Sequence, residues 1–86
     1  MISVKVVFFA SFKERLDCSG LTIELEQGSK IQNLCSLLAE KGGLWQELFV
    51  EANKNVKIAC NQQMVEISSQ LKDGDEVAFF PPVTGG

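Results

Sequence analysis

The chain has 86 residues, 45% of them apolar and 22% charged, which describes one small globular domain with one core rather than a disordered segment. It contains no histidine, so a Ser-His-Asp triad, a Cys-His pair and a His-ligated metal site are all excluded within it. A net charge of −3 and a pI near 4.8 argue against nucleic-acid binding, which leaves a basic footprint.

The elements follow in regular order. Residues 2–9 are β-branched and aromatic and predict a strand. Phe12 and Leu16, four apart, predict a short helical turn over 11–17. Residues 21–26 alternate strictly and predict a half-buried strand with Leu21, Ile23 and Leu25 inward. Ser29 and Gln32 have the spacing of a capping box. Ile31, Leu34, Cys35 and Leu38 then recur at helical spacing and predict the main amphipathic helix, ended by Gly42-Gly43. Leu44, Trp45, Leu48 and Phe49 predict a second, short helix. Residues 56–60 read as a strand with Val56, Ile58 and Cys60 on one face, Asn61-Gln62 as a tight turn, and 63–67 as a strand with Val65 and Ile67 inward. Lys72 to Asp75 form a turn, and Glu76 to Phe80 is the last strand, with Val77 and Phe79 inward.

Two strands before the helix and three after it predict an α+β fold of the β-grasp, ubiquitin-like type. It is a mixed five-stranded sheet with one main helix on one face and short extra helices. A right-handed crossover lays the last strand parallel to the first, in the sheet centre. The domain is expected over 1–80, with a flexible tail over 81–86. The longest apolar run, Val6 to Ala10, is too short to span a bilayer. The start Met-Ile-Ser-Val-Lys lacks the pattern of a signal peptide, so a cytoplasmic protein is expected. Cys18, Cys35 and Cys60 are odd in number and widely spaced, which suits free thiols rather than disulfides or zinc. Asp73, Asp75 and Glu76 read as a solvated turn without the further ligands of a calcium loop, and no metal is expected.

Two features point to function. The first is the end of the chain, Phe80-Pro81-Pro82-Val83-Thr84-Gly85-Gly86. Prolines lack the N–H a sheet ladder needs and hold the exit extended. Gly85 and Gly86 have no side chains to bury, and glycine admits close backbone approach. Such a tail suits delivery of a carboxylate into another protein's narrow pocket. The second feature is parity. With Val4, Val6, Phe8, Val65, Val77 and Phe79 inward, Phe9, Met64 and Phe80 face away from the helix. Apolar side chains on the uncovered face beside the tail suit docking.

The block Leu71-Lys72-Asp73-Gly74-Asp75-Glu76-Val77-Ala78-Phe79-Phe80-Pro81-Pro82-Val83-Thr84-Gly85-Gly86, with Val7-Phe8-Phe9-Ala10 and Asn61-Gln62, resembles the MoaD family of small molybdopterin synthase subunits, within the ubiquitin-like MoaD/ThiS superfamily. The resemblance implies a non-catalytic sulfur carrier. An E1-like enzyme would adenylate the Gly86 carboxylate with ATP, and a sulfur donor, a persulfide, would displace AMP to leave a thiocarboxylate. Gly85 would let the tail enter the large subunit, where sulfur passes to cyclic pyranopterin monophosphate to build the dithiolene of the molybdenum cofactor. Phe9, Met64, Phe80, Pro81, Pro82, Val83 and Thr84 would contact the partner. The family assembles as two small subunits flanking a dimer of large ones. No cofactor bound to this chain, no nucleic acid and no membrane is implied. A carrier for another pathway such as thiamine, a ubiquitin-like modifier and a plain interaction module are the alternatives.

Overall fold

The computed structural model describes residues 1–55 and 57–80, and their side chains apart from those of residues 10–11 and 50–55. Val56 and the tail residues Pro81, Pro82, Val83, Thr84, Gly85 and Gly86 lie outside the described residues, as does the boundary expected between domain and tail.

The element order is β1 (Ile2–Phe8), α1 (Ala10–Leu16), β2 (Gly20–Leu25), α2 (Ile31–Ala39), α3 (Gly43–Asn55), β3 (Lys57–Cys60), β4 (Gln63–Val65) and β5 (Glu76–Phe80). The sheet runs β2-β1-β5-β3-β4. β1 and β5 are parallel, with Val6 beside Val77 and Phe8 beside Phe79, and all other pairs are antiparallel. This is the mixed five-stranded β-grasp sheet that the order of elements predicts, with β5 parallel to β1 in the centre.

One face of the sheet carries the core. Val4, Val6, Phe8, Ile58, Val77 and Phe79 pack with Ile31, Leu34, Cys35 and Leu38 of α2 and with Leu48 and Phe49 of α3. An aromatic group ties the helices to the tail end of the sheet. Phe79 meets Phe49 edge to face at 5.1 Å, and Phe8 meets Trp45 at 5.5 Å.

Four local expectations change. The Ser29–Gln32 capping box does not form. Lys30 stays extended, bridged to Gln70, and is itself the N-cap of α2. The first helical N–H groups are satisfied by tertiary partners instead. Ile31 donates to the Ser69 carbonyl and Gln32 to the Ile67 carbonyl, both at 2.9 Å. Asn33 Oδ1 accepts from the Lys30 N–H at 2.8 Å. The second helix is not short: α3 runs for 13 residues, past the point where the apolar repeat ends at Phe49. β1 stops at Phe8, because Phe9 becomes the extended N-cap of α1. β4 stops at Val65, and Ile67 lies in the turn that feeds carbonyls to α2. Leu21 and Ile23 face the core but are only half-buried, as expected of an edge strand.

Candidate functional site

The last described residue, Phe80, ends the central strand, so the tail leaves from the middle of one end of the sheet. Pairing places the neighbours of that exit. Phe8 lies beside Phe79, which puts Phe9 next to Phe80. Their rings stack with centroids 5.1 Å apart and planes 4° from parallel. Phe9 is 46% exposed, and Phe80 is half-buried beneath it. On the other flank of Phe80 stands the exposed Lys57.

One step back from the exit, the same face carries a row of small apolar residues. Gly20 pairs with Val7, Val7 with Ala78, Ala78 with Ala59, and Ala59 with Met64. Ala59 is nearly covered yet does not belong to the core cluster beneath the helices. A side chain at Gly20 would come within 2.7 Å of the Val6 carbonyl, so that end of the row is held flat by close backbone approach. Met64 is 63% exposed at the far edge. Next comes a charged row, where Lys5 and Glu76 stand 3.9 Å apart on the surface. The result is a flat apolar strip with a polar border, the usual anatomy of an interface.

Parity therefore assigns Phe9, Met64 and Phe80 to the uncovered face correctly. Phe9 and Phe80 form one feature, whereas Met64 stands three strands from Phe9 at the end of the small-residue row. The sequence reading passed over Gly20, Val7, Ala59 and Ala78. Their signal was available, because each sits at the outward position of an alternating strand.

The turn before β5 is solvated, with Lys72, Asp73 and Gly74 exposed, and a polar knot also holds it in place. Asn61 and Gln62 both take positive φ, 52° and 70°, in the two-residue turn between β3 and β4. The Asn61 N–H donates to the Glu76 carbonyl at 2.8 Å, its amide donates to Asp75 Oδ1 at 2.9 Å, and its Oδ1 accepts from the Glu76 N–H at 3.0 Å. Asp75 Oδ2 accepts from the Lys72 N–H at 2.8 Å, and Asp73 Oδ1 from the Ser3 N–H at 2.7 Å. Burial pushes the Asp75 carboxyl up, but the Lys72 N–H, the Asn61 amide, the Cys60 thiol and the Lys72 charge outweigh it and hold it below its ordinary value of 3.8. The acidic turn thus starts β5 and sets its register. Among the described residues no group of side chains has the makings of a metal site.

Cys35 and Cys60 supply no nucleophile. Burial pushes the Cys35 thiol up to about 11. Burial, and then the Asp75 charge and hydrogen bond, push Cys60 up to about 11 as well. Both stay protonated at neutral pH, when only a thiolate attacks readily. Cys18 is half-buried, with its thiol 3.4 Å from the Gly20 carbonyl.

Comparison with known proteins agrees with this arrangement. The ThiS family model matches residues 6–86. The molybdopterin synthase sulfur carrier subunit of Haemophilus influenzae is 37% identical, across 96% of this chain and 99% of the relative. A chain from the complex of subunits 1 and 2 of the molybdopterin-converting factor of Helicobacter pylori superposes with a TM-score of 0.67 at 31% identity, covering 99% of this chain and 100% of that one. The small archaeal modifier protein 1 of Methanosarcina acetivorans superposes at 0.78 with 24% identity, covering 100% and 98%, a likeness of fold. Among the described residues no helix is long and apolar enough to cross a membrane.

Proposed function

Because the chain belongs to the ThiS family, we propose that it is the sulfur carrier subunit of a molybdopterin synthase, with the Gly86 carboxylate as the carrying group. One observation carries this reading. The central strand ends at Phe80 beside an exposed aromatic stack, and the sequence closes six residues later on Gly-Gly, in a chain that matches sulfur carriers along nearly their whole length.

The division of labour follows from what the chain lacks. With no histidine, and with Cys35 and Cys60 held protonated, it has no group to activate its own carboxylate. An E1-like partner binds ATP and uses it as the co-substrate. A Gly86 carboxylate oxygen attacks the α-phosphate, pyrophosphate leaves, and the acyl carbon gains AMP as a leaving group. The terminal sulfur of a persulfide then displaces AMP, and a thiol cleaves the resulting acyl disulfide to release the thiocarboxylate. The apolar strip with Phe9, Met64 and Phe80 docks on the large synthase subunit, Pro81 to Thr84 span the approach, and Gly85 fits the narrow end. There the sulfur passes to cyclic pyranopterin monophosphate. Two small subunits flank a dimer of large ones, and the assembly works in the cytoplasm.

The test is intact mass and C-terminal fragmentation of the protein purified gently from its own cells. One oxygen replaced by sulfur at Gly86, placed there rather than on Met1 or Met64, is the expected result. A carboxylate alone, even after incubation with an E1-like enzyme, ATP and a persulfide donor, sinks the reading. Isopeptide-linked adducts would point to a protein modifier instead.

A further inference from the structure

Four large apolar side chains are exposed among the described residues, and they fall into two pairs. Phe9 and Met64 lie on the docking face, while Met1 and Leu37 lie elsewhere. Met1 and Leu37 line a groove between the edge strand β2 and helix α2. It consists of two adjoining cavities of about 600 and 620 Å³ that share Glu24, Leu37 and Glu40. Each is within the ~300–1,000 Å³ range of binding clefts.

β2 forms one edge of the sheet. The Lys5 N–H of β1 points to the Asp75 carbonyl, and the Ser3 N–H to Asp73, both on the β5 side. Val4 and Val6 therefore turn their backbone groups to β2, where they pair with Ile23 and Leu21. Thr22 and Glu24 between them direct their N–H and C=O groups outward. Among the described residues no strand pairs with this edge, and no proline or lysine blunts β2.

Charge selects the occupant. Glu24, Glu26 and Glu40 line the groove, and no cation lies within ion-pair distance of them among the described residues. Two cations border the groove, the Met1 α-ammonium and Lys41, and three carboxylates outnumber them; the Lys41 Nζ lies 5.3 Å from the centre of the Trp45 ring. A second copy pairing edge to edge would bring like carboxylates together, which opposes self-association. An extended segment with basic side chains meets the opposite situation.

We propose that the free edge of β2 and the β2–α2 groove bind an extended basic segment of a partner protein by strand addition. Its backbone pairs with Thr22 and Glu24, alternate Lys or Arg side chains on the outer face meet Glu24 and, past the strand end, Glu26, and the apolar side chains between them, on the helix side, rest on Leu37 and Met1. β2 runs antiparallel to β1, so the Leu25 end of the groove lies at the end of the sheet opposite the tail exit. Such a partner is compatible with a docked and inserted tail, and the proposal does not rest on sulfur carriage.

The probe is a synthetic peptide alternating lysine and valine, added to the full 15N-labelled chain, with a glutamate-valine peptide as control. Shifts centred on the amides of residues 21–25 and on Leu37, slowed exchange of the Thr22 and Glu24 N–H groups, and binding that weakens several-fold from low to high salt are expected. The exposed pair of substitutions Glu24→Lys and Glu26→Lys should weaken the lysine peptide about tenfold while leaving the spectrum of the rest of the fold in place. Absence of shifts at millimolar peptide, equal binding of the glutamate peptide, shifts confined to Phe9 and Phe80, or dimerisation through β2 in sedimentation would each overturn the proposal.

Discussion

The two faces of the sheet are built from the same strands and do opposite work. On the helix side, Val6, Phe8, Ile58, Val77 and Phe79 are almost wholly buried. On the other side, one residue along, Val7, Phe9, Ala59, Ala78 and Phe80 form an apolar strip outside the core cluster, from the nearly covered Ala59 to the exposed Phe9. Burial explains why the first set is apolar, because each such side chain adds roughly 1.5–3 kcal/mol when removed from water. It does not explain the second set, since an uncovered sheet face normally alternates to polar residues. The difference teaches that burial in this fold accounts for the first set only, and the second set is the one the proposed docking uses.

The comparison is broken or sharpened by variants that touch one side only. The largest functional effect is expected at the tail. Removing Gly86 should abolish thiocarboxylate formation, read by mass, while the urea midpoint stays unchanged. Within the fold the largest effect belongs to the covered face. Phe79→Ala should cost ~3–5 kcal/mol in urea unfolding, because it opens a cavity against Phe8 and Phe49. On the outer face, Phe80→Ala should weaken binding to the large synthase subunit by about 2 kcal/mol, measured by titration calorimetry. Its cost to stability should be smaller, ~0.5–1.5 kcal/mol from the lost stack on Phe9. A fall in stability as large as that of Phe79→Ala would place Phe80 in the core and undo the division.

Asn61→Ala tests what sets the register between the two faces. It removes the amide contact to Asp75 and the acceptor for the Glu76 N–H, and should cost ~1–2 kcal/mol without touching either apolar surface. The smallest effect concerns Asp75. Its folded value lies below the unfolded one, so its contribution is complete above about pH 4 and disappears as pH falls through the folded value. Asp75→Asn should flatten the acid limb of the stability profile below about pH 4.

The strands and the parity of their side chains were legible in the sequence, because β-branched alternation has a period of two and needs no tertiary information. The main helix was legible through Ile31, Leu34, Cys35 and Leu38, all now buried. Its cap was not legible, since Ser29 and Gln32 are outbid by the carbonyls of Ile67 and Ser69, which arrive from 35 or more residues later in the chain. The full length of α3 was missed because the apolar repeat stops at Phe49 while the helical backbone continues to Asn55. At the site, Phe9 and Phe80 were legible as the tail-side ends of two parallel neighbours, and Met64 by its parity. That Phe9 stacks on Phe80, and that Ala59 and Ala78 continue the strip, depends on which strands are neighbours.

By itself the sequence determined the strand order in time, the inward and outward sides of each strand, the absence of histidine chemistry and the Gly-Gly end that carries the proposed function. Those are local properties of residue type and spacing. Only the tertiary structure decided that β3 is the second neighbour of β5, that Asn61 and Asp75 lock the start of β5, and that among the described residues the edge of β2 stands open beside α2. Each of these joins residues far apart in the chain, and such contacts are fixed by packing and by the pairing of backbone groups rather than by any spacing along the chain.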